Sequence, residues 1–225
     1  MADESGTPET DATSAHRPLL ADRARIPAML VIVLAIIVIA VSGIRYADQD
    51  MAGYLDLRLD ALIRDHLSRD QPLTRTLISL GNPAQAAMLV ATVAAAAAAA
   101  RRWSGVLLII IGTVTAVTIT ELILKPLIGR LRFGHLSFPS GHTTAVAAVA
   151  ITTAILISGA RWPRSTTVRL ITGLAAVAVA VGVALSLVAQ HIHYATDTIA
   201  GYCVALATVP AVALFLDFFA IRKDC

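Results

Sequence analysis

Gly105-Val-Leu-Leu-Ile-Ile-Ile-Gly-Thr-Val-Thr-Ala-Val-Thr-Ile-Thr-Glu-Leu-Ile-Leu124 carries one charged residue, Glu121, and gives way to Lys125-Pro126. A run of roughly 18 or more apolar residues is long enough to cross the hydrocarbon core of a bilayer as a helix. Reading outward from it, comparable runs occupy residues 26–44, 83–100, 143–160, 168–189 and 197–220. The chain of 225 residues is 57% hydrophobic and only 15% charged, with a mean hydropathy of +0.75. A soluble domain carries more charge than this. The sequence therefore predicts an all-α, polytopic membrane protein built as a bundle of six transmembrane helices.

The formal charge of +3 and the pI near 9.2 imply no nucleic-acid partner, because the basic excess flanks the spans. With the N-terminus inside, Arg17, Arg23, Arg25, Arg101, Arg102, Arg161, Arg164, Arg169, Arg222 and Lys223 fall on the cytoplasmic side. Arg45, Arg58, Arg64, Arg69 and Arg75 remain on the other side once Lys125, Arg130 and Arg132 are set apart. The positive-inside bias thus predicts a multi-pass protein of the cell membrane with both termini cytoplasmic. Cys203 lies inside the last apolar run and Cys225 is the final residue, so neither a disulfide nor a metal-binding spacing is expected.

Residues 1–25 read as a disordered cytoplasmic tail, acidic and Ser/Thr-rich before turning basic, and residues 26–220 as one six-span domain. Ala40-Val41-Ser42 resembles a cleavage site, but the long leader and the length of the apolar run favour an uncleaved first span. Between the first two spans, Leu55, Leu59, Leu62, Ile63 and Leu67 recur at helical spacing. Asp56, Arg58, Asp60, Arg64 and Asp65 fall elsewhere on the wheel. That pattern predicts an amphipathic helix at the membrane surface, either packing over a gap between spans or serving as a lid for a lipid. The alanine run 94–100 reads as a helix-packing surface.

Three polar clusters interrupt the apolar pattern. Lys125-Pro-Leu-Ile-Gly-Arg-Leu-Arg-Phe133 places three cations within eight residues at the end of the third span. Taken alone, such residues anchor a helix at the interface. Phe138-Pro-Ser-Gly-His-Thr-Thr144 opens the fourth span, where unpaired N–H groups and the helix dipole favour an anion. Ser140 can donate a hydroxyl or merely cap the helix, Gly141 lets an anion approach the backbone, and His142 can carry a proton. Ser186-Leu-Val-Ala-Gln-His-Ile-His-Tyr-Ala-Thr-Asp197 joins the last two spans. His193 and Asp197 are four residues apart, so one helical turn would set the carboxylate beside the ring and leave the other ring nitrogen free to attack. Six spans put all three clusters on one membrane face. Buried ionisable groups that can converge in this way point to a functional site.

With these motifs the chain resembles the type-2 phosphatidic acid phosphatase superfamily, which includes vanadium-dependent haloperoxidases. Lys125-x6-Arg132 follows the first family motif with Phe133 in place of proline, and Pro139-Ser140-Gly141-His142 is the second complete. Ser186 and His193-x3-Asp197 follow the third, with Leu187 in place of arginine. The resemblance implies metal-independent hydrolysis of a lipid phosphate or diphosphate through a phosphohistidine, with no cofactor. His193 would be the nucleophile, Asp197 would orient it, and His142 would be the acid and base. Lys125, Arg132, Ser140 and Gly141 would hold the phosphate. Arg130, Gln190 or His191 are candidates to replace the missing arginine, and Glu121 stands one turn before Lys125 as a candidate partner for it. Leu187 cannot act as a bidentate donor. A weakly active lipid-phosphate binding or transport protein is therefore one alternative, and a phosphotransferase another.

Overall fold

The computed structural model describes residues 18–67, 71–160 and 165–221. Residues 1–17 of the expected tail lie outside the described residues. So do Arg69, Arg161, Arg164, Arg222 and Lys223 of the charge bias, and Cys225. Helix α1 spans Asp22–Tyr46, α2 Tyr54–Leu67, α3 Gln71–Ser79 and α4 Pro83–Ala99. The third apolar run forms one rod, Trp103–Ile128, made of α5 (Trp103–Thr118), a π-helical segment (Ile119–Leu124) and α6 (Lys125–Ile128). After it come α7 (Gly141–Ser158), α8 (Thr166–Ala189) and α9 (Ala195–Ile221).

Among the described residues, five helices are long and apolar enough to cross a membrane. The expected second span is shorter. Helix α4 has 17 residues, about 26 Å at 1.5 Å per residue, just under a hydrocarbon core of about 30 Å. It becomes a sixth span if joined to Pro72–Ser79, from which it is bent by 66°. Gly81-Asn82-Pro83 makes that bend, since proline suits the first turn of a helix and ends the one before it.

Helix α7 is the centre of the bundle, with α4, α5, α8 and α9 packed around it. Its buried stretch Thr143–Ala150 consists of Thr, Ala and Val, and small side chains let helices approach closely where lipid supplies no hydrophobic push. A methyl group on Gly201 of α9 would meet the Ser140 carbonyl oxygen at 2.5 Å, so this contact needs glycine. The alanine run contributes less than expected: only Ala97 within it is buried. Helix α1 is the least buried of the long apolar helices, with Ile26, Leu30, Leu34, Ile37 and Ile44 exposed while Ile39 packs on the core. Ahead of Ile26, Leu19 and Leu20 are buried and donate their N–H groups to the Asp217 carboxylate of α9 at 2.7 and 3.0 Å.

The amphipathic helix is present as α2, with its polar side inward. Asp56 and Asp60 are 0% and 1% exposed, whereas Leu57 and Leu62 are 61% and 58% exposed. At a membrane surface the apolar face can turn to lipid while the carboxylates satisfy N–H groups of the bundle. Asp60 accepts from the N–H of Ala195 at 3.0 Å and Asp56 from that of Thr196 at 3.1 Å, at the start of α9. Carboxylates stabilise a helix N-terminus through its free donors and its dipole. These bonds make α2 a packing helix tied to the start of α9.

Candidate active site

The rod that carries Lys125 does not stop at Pro126. The Lys125 N–H bonds to the Thr120 carbonyl, closing the π turn. Pro126 then sits in the first turn of α6, where its missing N–H costs nothing. The rod ends at Gly129, whose φ of 68° is the left-handed C-cap that glycine adopts freely. Leu131–Arg132 and His135–Leu136 then pair as a short antiparallel hairpin across Phe133-Gly134. Phe133 has φ 49° and Gly134 φ 78°, the signs required by a two-residue type I′ turn. Proline is locked near −65° and cannot occupy that place, which accounts for Phe133.

Ser140 is the N-cap of α7: its Oγ accepts from the Thr143 N–H at 3.4 Å and from the Thr143 hydroxyl at 3.1 Å. Its own N–H donates to the Asp197 carbonyl at 3.0 Å, fastening the start of α7 to the start of α9. His142 Nε2 lies 3.0 Å from Asn82 Oδ1, and a methyl group on Gly81 would fall within 2.7 Å of the histidine side chain. Gly81-Asn82 thus positions His142 from a distance of sixty residues. The three motif clusters meet: Ser140 bonds to Asp197, Arg132 to the His191 carbonyl, and Glu121, bonded to Lys125, lies against Gly141.

His193 and Asp197 meet as expected, although not along one helix. His193 lies in the loop ahead of Ala195 and Asp197 in the first turn of α9. Nδ1 faces Oδ2 at 3.4 Å, a long hydrogen bond. Asp197 is fully buried. The Tyr194 N–H also donates to its Oδ2, at 3.1 Å, and Arg130 to its Oδ1, at 2.7 Å.

Residues 125–220 match the family model described as the PAP2 superfamily. The fold is also that of a solved structure, the first transmembrane PAP2-type phosphatidylglycerolphosphate phosphatase from Bacillus subtilis. The two chains are 20% identical, with a TM-score of 0.62 over 87% of this chain and 96% of that one. No curated protein matches the sequence.

Within residues 125–220 the two arginines differ. Arg130 is fully buried, pairs with Asp56 and Asp197, and donates to Thr196 Oγ1 at 2.7 Å. Its guanidinium lies 4.2 and 4.4 Å from the ring centres of Tyr46 and Tyr194. Arg132 stacks on Tyr194 at 3.9 Å and donates Nε to the His191 carbonyl at 3.1 Å. Its buried Nη1 has no hydrogen-bond acceptor and stands 4.0 Å from Asp60. Burial pushes the Asp60 carboxyl above its ordinary range, against the N–H of Ala195 and the charges of Arg64 and Arg132.

Leu187, where the family has arginine, is 0% exposed within the main apolar cluster. The three candidate substitutes stand in different surroundings. Arg130 is committed to two carboxylates, and Gln190 donates to Thr74 of α3 at 2.8 Å. His191 gives Arg132 its backbone carbonyl, while its ring is held below the ordinary imidazole pKa by desolvation and then by Arg64 and Arg132. Sequence reasoning missed Asp56, Asp60, Gly81, Asn82, Tyr46 and Tyr194. The aspartates carried one signal, their i,i+4 spacing on a surface helix. Asn82 carried none beyond a Gly-Asn-Pro turn.

Proposed function

We propose that this chain is an integral membrane lipid phosphatase that hydrolyses a lipid phosphate or diphosphate through a phosphohistidine. The observation that carries the proposal is the joining of the three motif clusters: Ser140 bonds to Asp197, Arg132 to His191, and Glu121 links Lys125 to the start of α7. The unfilled Nη1 of Arg132 adds a donor with no protein acceptor. Held by Asp197 at Nδ1, His193 presents Nε2 to phosphorus. The N–P bond forms as the P–O bond to the lipid breaks, and the leaving oxygen keeps the bonding pair and takes a proton from His142. A water molecule then gives its proton to His142 and displaces His193, releasing phosphate. Lys125, Arg132, Ser140 and the Gly141 N–H offset the charge that builds on the non-bridging oxygens.

An apolar groove of about 850 Å³ supports a lipid substrate. It lies between α1, the α5–α6 rod and α9, and Leu124, Leu127 and Ile128 line the end that adjoins Lys125. The basic residues of the opposite loops support a site on the outer face of the cell membrane with cytoplasmic termini. Purified protein should release phosphate from at least one of phosphatidic acid, phosphatidylglycerol phosphate and a polyprenyl diphosphate. His193→Ala should lower the rate on the order of 10⁴–10⁶-fold. Release from none of the panel rejects the proposal. Buried Leu187 favours one alternative, a lipid-phosphate binding protein with weak turnover; binding of phosphatidic acid without hydrolysis would select it.

A further inference from the structure

The π-helical segment presents a carboxylate to the same donors that the proposed phosphate needs. Glu121 Oε2 accepts from Lys125 Nζ at 2.8 Å. Its Oε1 lies against the α carbon of Gly141, in the space a side chain would fill at that position. One carboxylate therefore links the Lys125 ammonium to the first residue of α7. The segment is fixed there, since the buried Thr120 hydroxyl is 3.1 Å from that of Thr144 on α7. Glu121 is 38% exposed and Lys125 15%, so neither member of the pair is sealed inside the bundle.

Placed there, a fixed negative charge acts on a phosphate in two ways. It occupies the ammonium and the glycine face while the site is empty, and it repels the dianion once that enters. The penalty is alike for any phosphate dianion, but inorganic phosphate has no acyl chain whose burial offsets it. Resting on the phosphatase reading above, we propose that Glu121 is a specificity-determining residue that acts as an internal competitor for the phosphate place. It weakens the hold on free phosphate, so the product leaves, and reserves the site for phosphates that bring a lipid anchor.

Calorimetric titration of the purified full chain with orthophosphate tests this. Glu121→Gln keeps the shape and removes the charge, and is expected to bind orthophosphate about tenfold tighter than wild type. Glu121→Asp keeps the charge on a shorter arm that reaches Lys125 or Gly141 but not both, and should fall between the two. A merely structural ion pair predicts the reverse, weaker phosphate binding in both variants because Lys125 loses its orienting partner. If wild type binds orthophosphate and both variants bind it equally or more weakly, the competitor role is overturned while the phosphate site stands. If all three bind no orthophosphate, the phosphate-site reading fails and this inference with it.

Discussion

Arg130 and Arg132 are two residues apart and share the Tyr194 ring, yet they occupy opposite kinds of environment. Around Arg130 both Nη groups find acceptors among Asp56, Asp197 and Thr196. Around Arg132 the protein supplies one carbonyl and a distant carboxylate, and leaves Nη1 unmatched. Arg130 has its charge answered by two buried carboxylates and acts as a strut, whereas Arg132 has, among the described residues, a carboxylate no nearer than 4.0 Å. An unfilled donor does not separate the two, since Nε of Arg130 also lacks an acceptor; the carboxylate pairing does.

The largest effect should come from removing the strut. Arg130→Met leaves Asp56 and Asp197 buried without their counter-charge and should cost on the order of 3–5 kcal/mol. It should appear as a large fall in the unfolding midpoint in detergent. An unchanged midpoint would erase the distinction between the two arginines. Arg132→Ala should do the opposite, with turnover falling on the order of 10²–10³-fold and the midpoint nearly preserved. Gly81→Ala leaves both arginines alone and displaces the His142 ring, and a shift of that size should cost up to about 100-fold in kcat. If kcat holds, the Gly81 contact is packing alone. The smallest change is Phe133→Pro, which restores the usual family residue. Because φ is +49° there, the hairpin carrying Arg132 should be strained by about 1–3 kcal/mol, with KM rising more than kcat falls.

Much of this was open to a reader of the sequence, for definite reasons. The six runs are legible because a bilayer demands about 20 apolar residues per helix, and the ends of α5–α6, α7, α8 and α9 must then alternate in side. The convergence of Lys125, His142 and His193 follows from that parity. The polarity of α2 was not legible. A helical wheel separates Leu57 and Leu62 from Asp56 and Asp60, but it does not say which side is inside when the surroundings are lipid. Asn82 was hidden because only the fold brings it to His142. The pairing of Arg130 with Asp56 and Asp197 was hidden because a cation near a motif looks the same whether or not two aspartates already hold it.

The π turn at Ile119–Leu124 has a last consequence. It can be regarded as an α-helix carrying one surplus residue. The wide turn absorbs that residue, so the helix before it and the helix after it keep nearly one phase, and deleting a residue there would restore a regular α-helix with its tip little moved. What the surplus residue supplies is local, a widened turn at the place where Glu121 and Lys125 meet the start of α7.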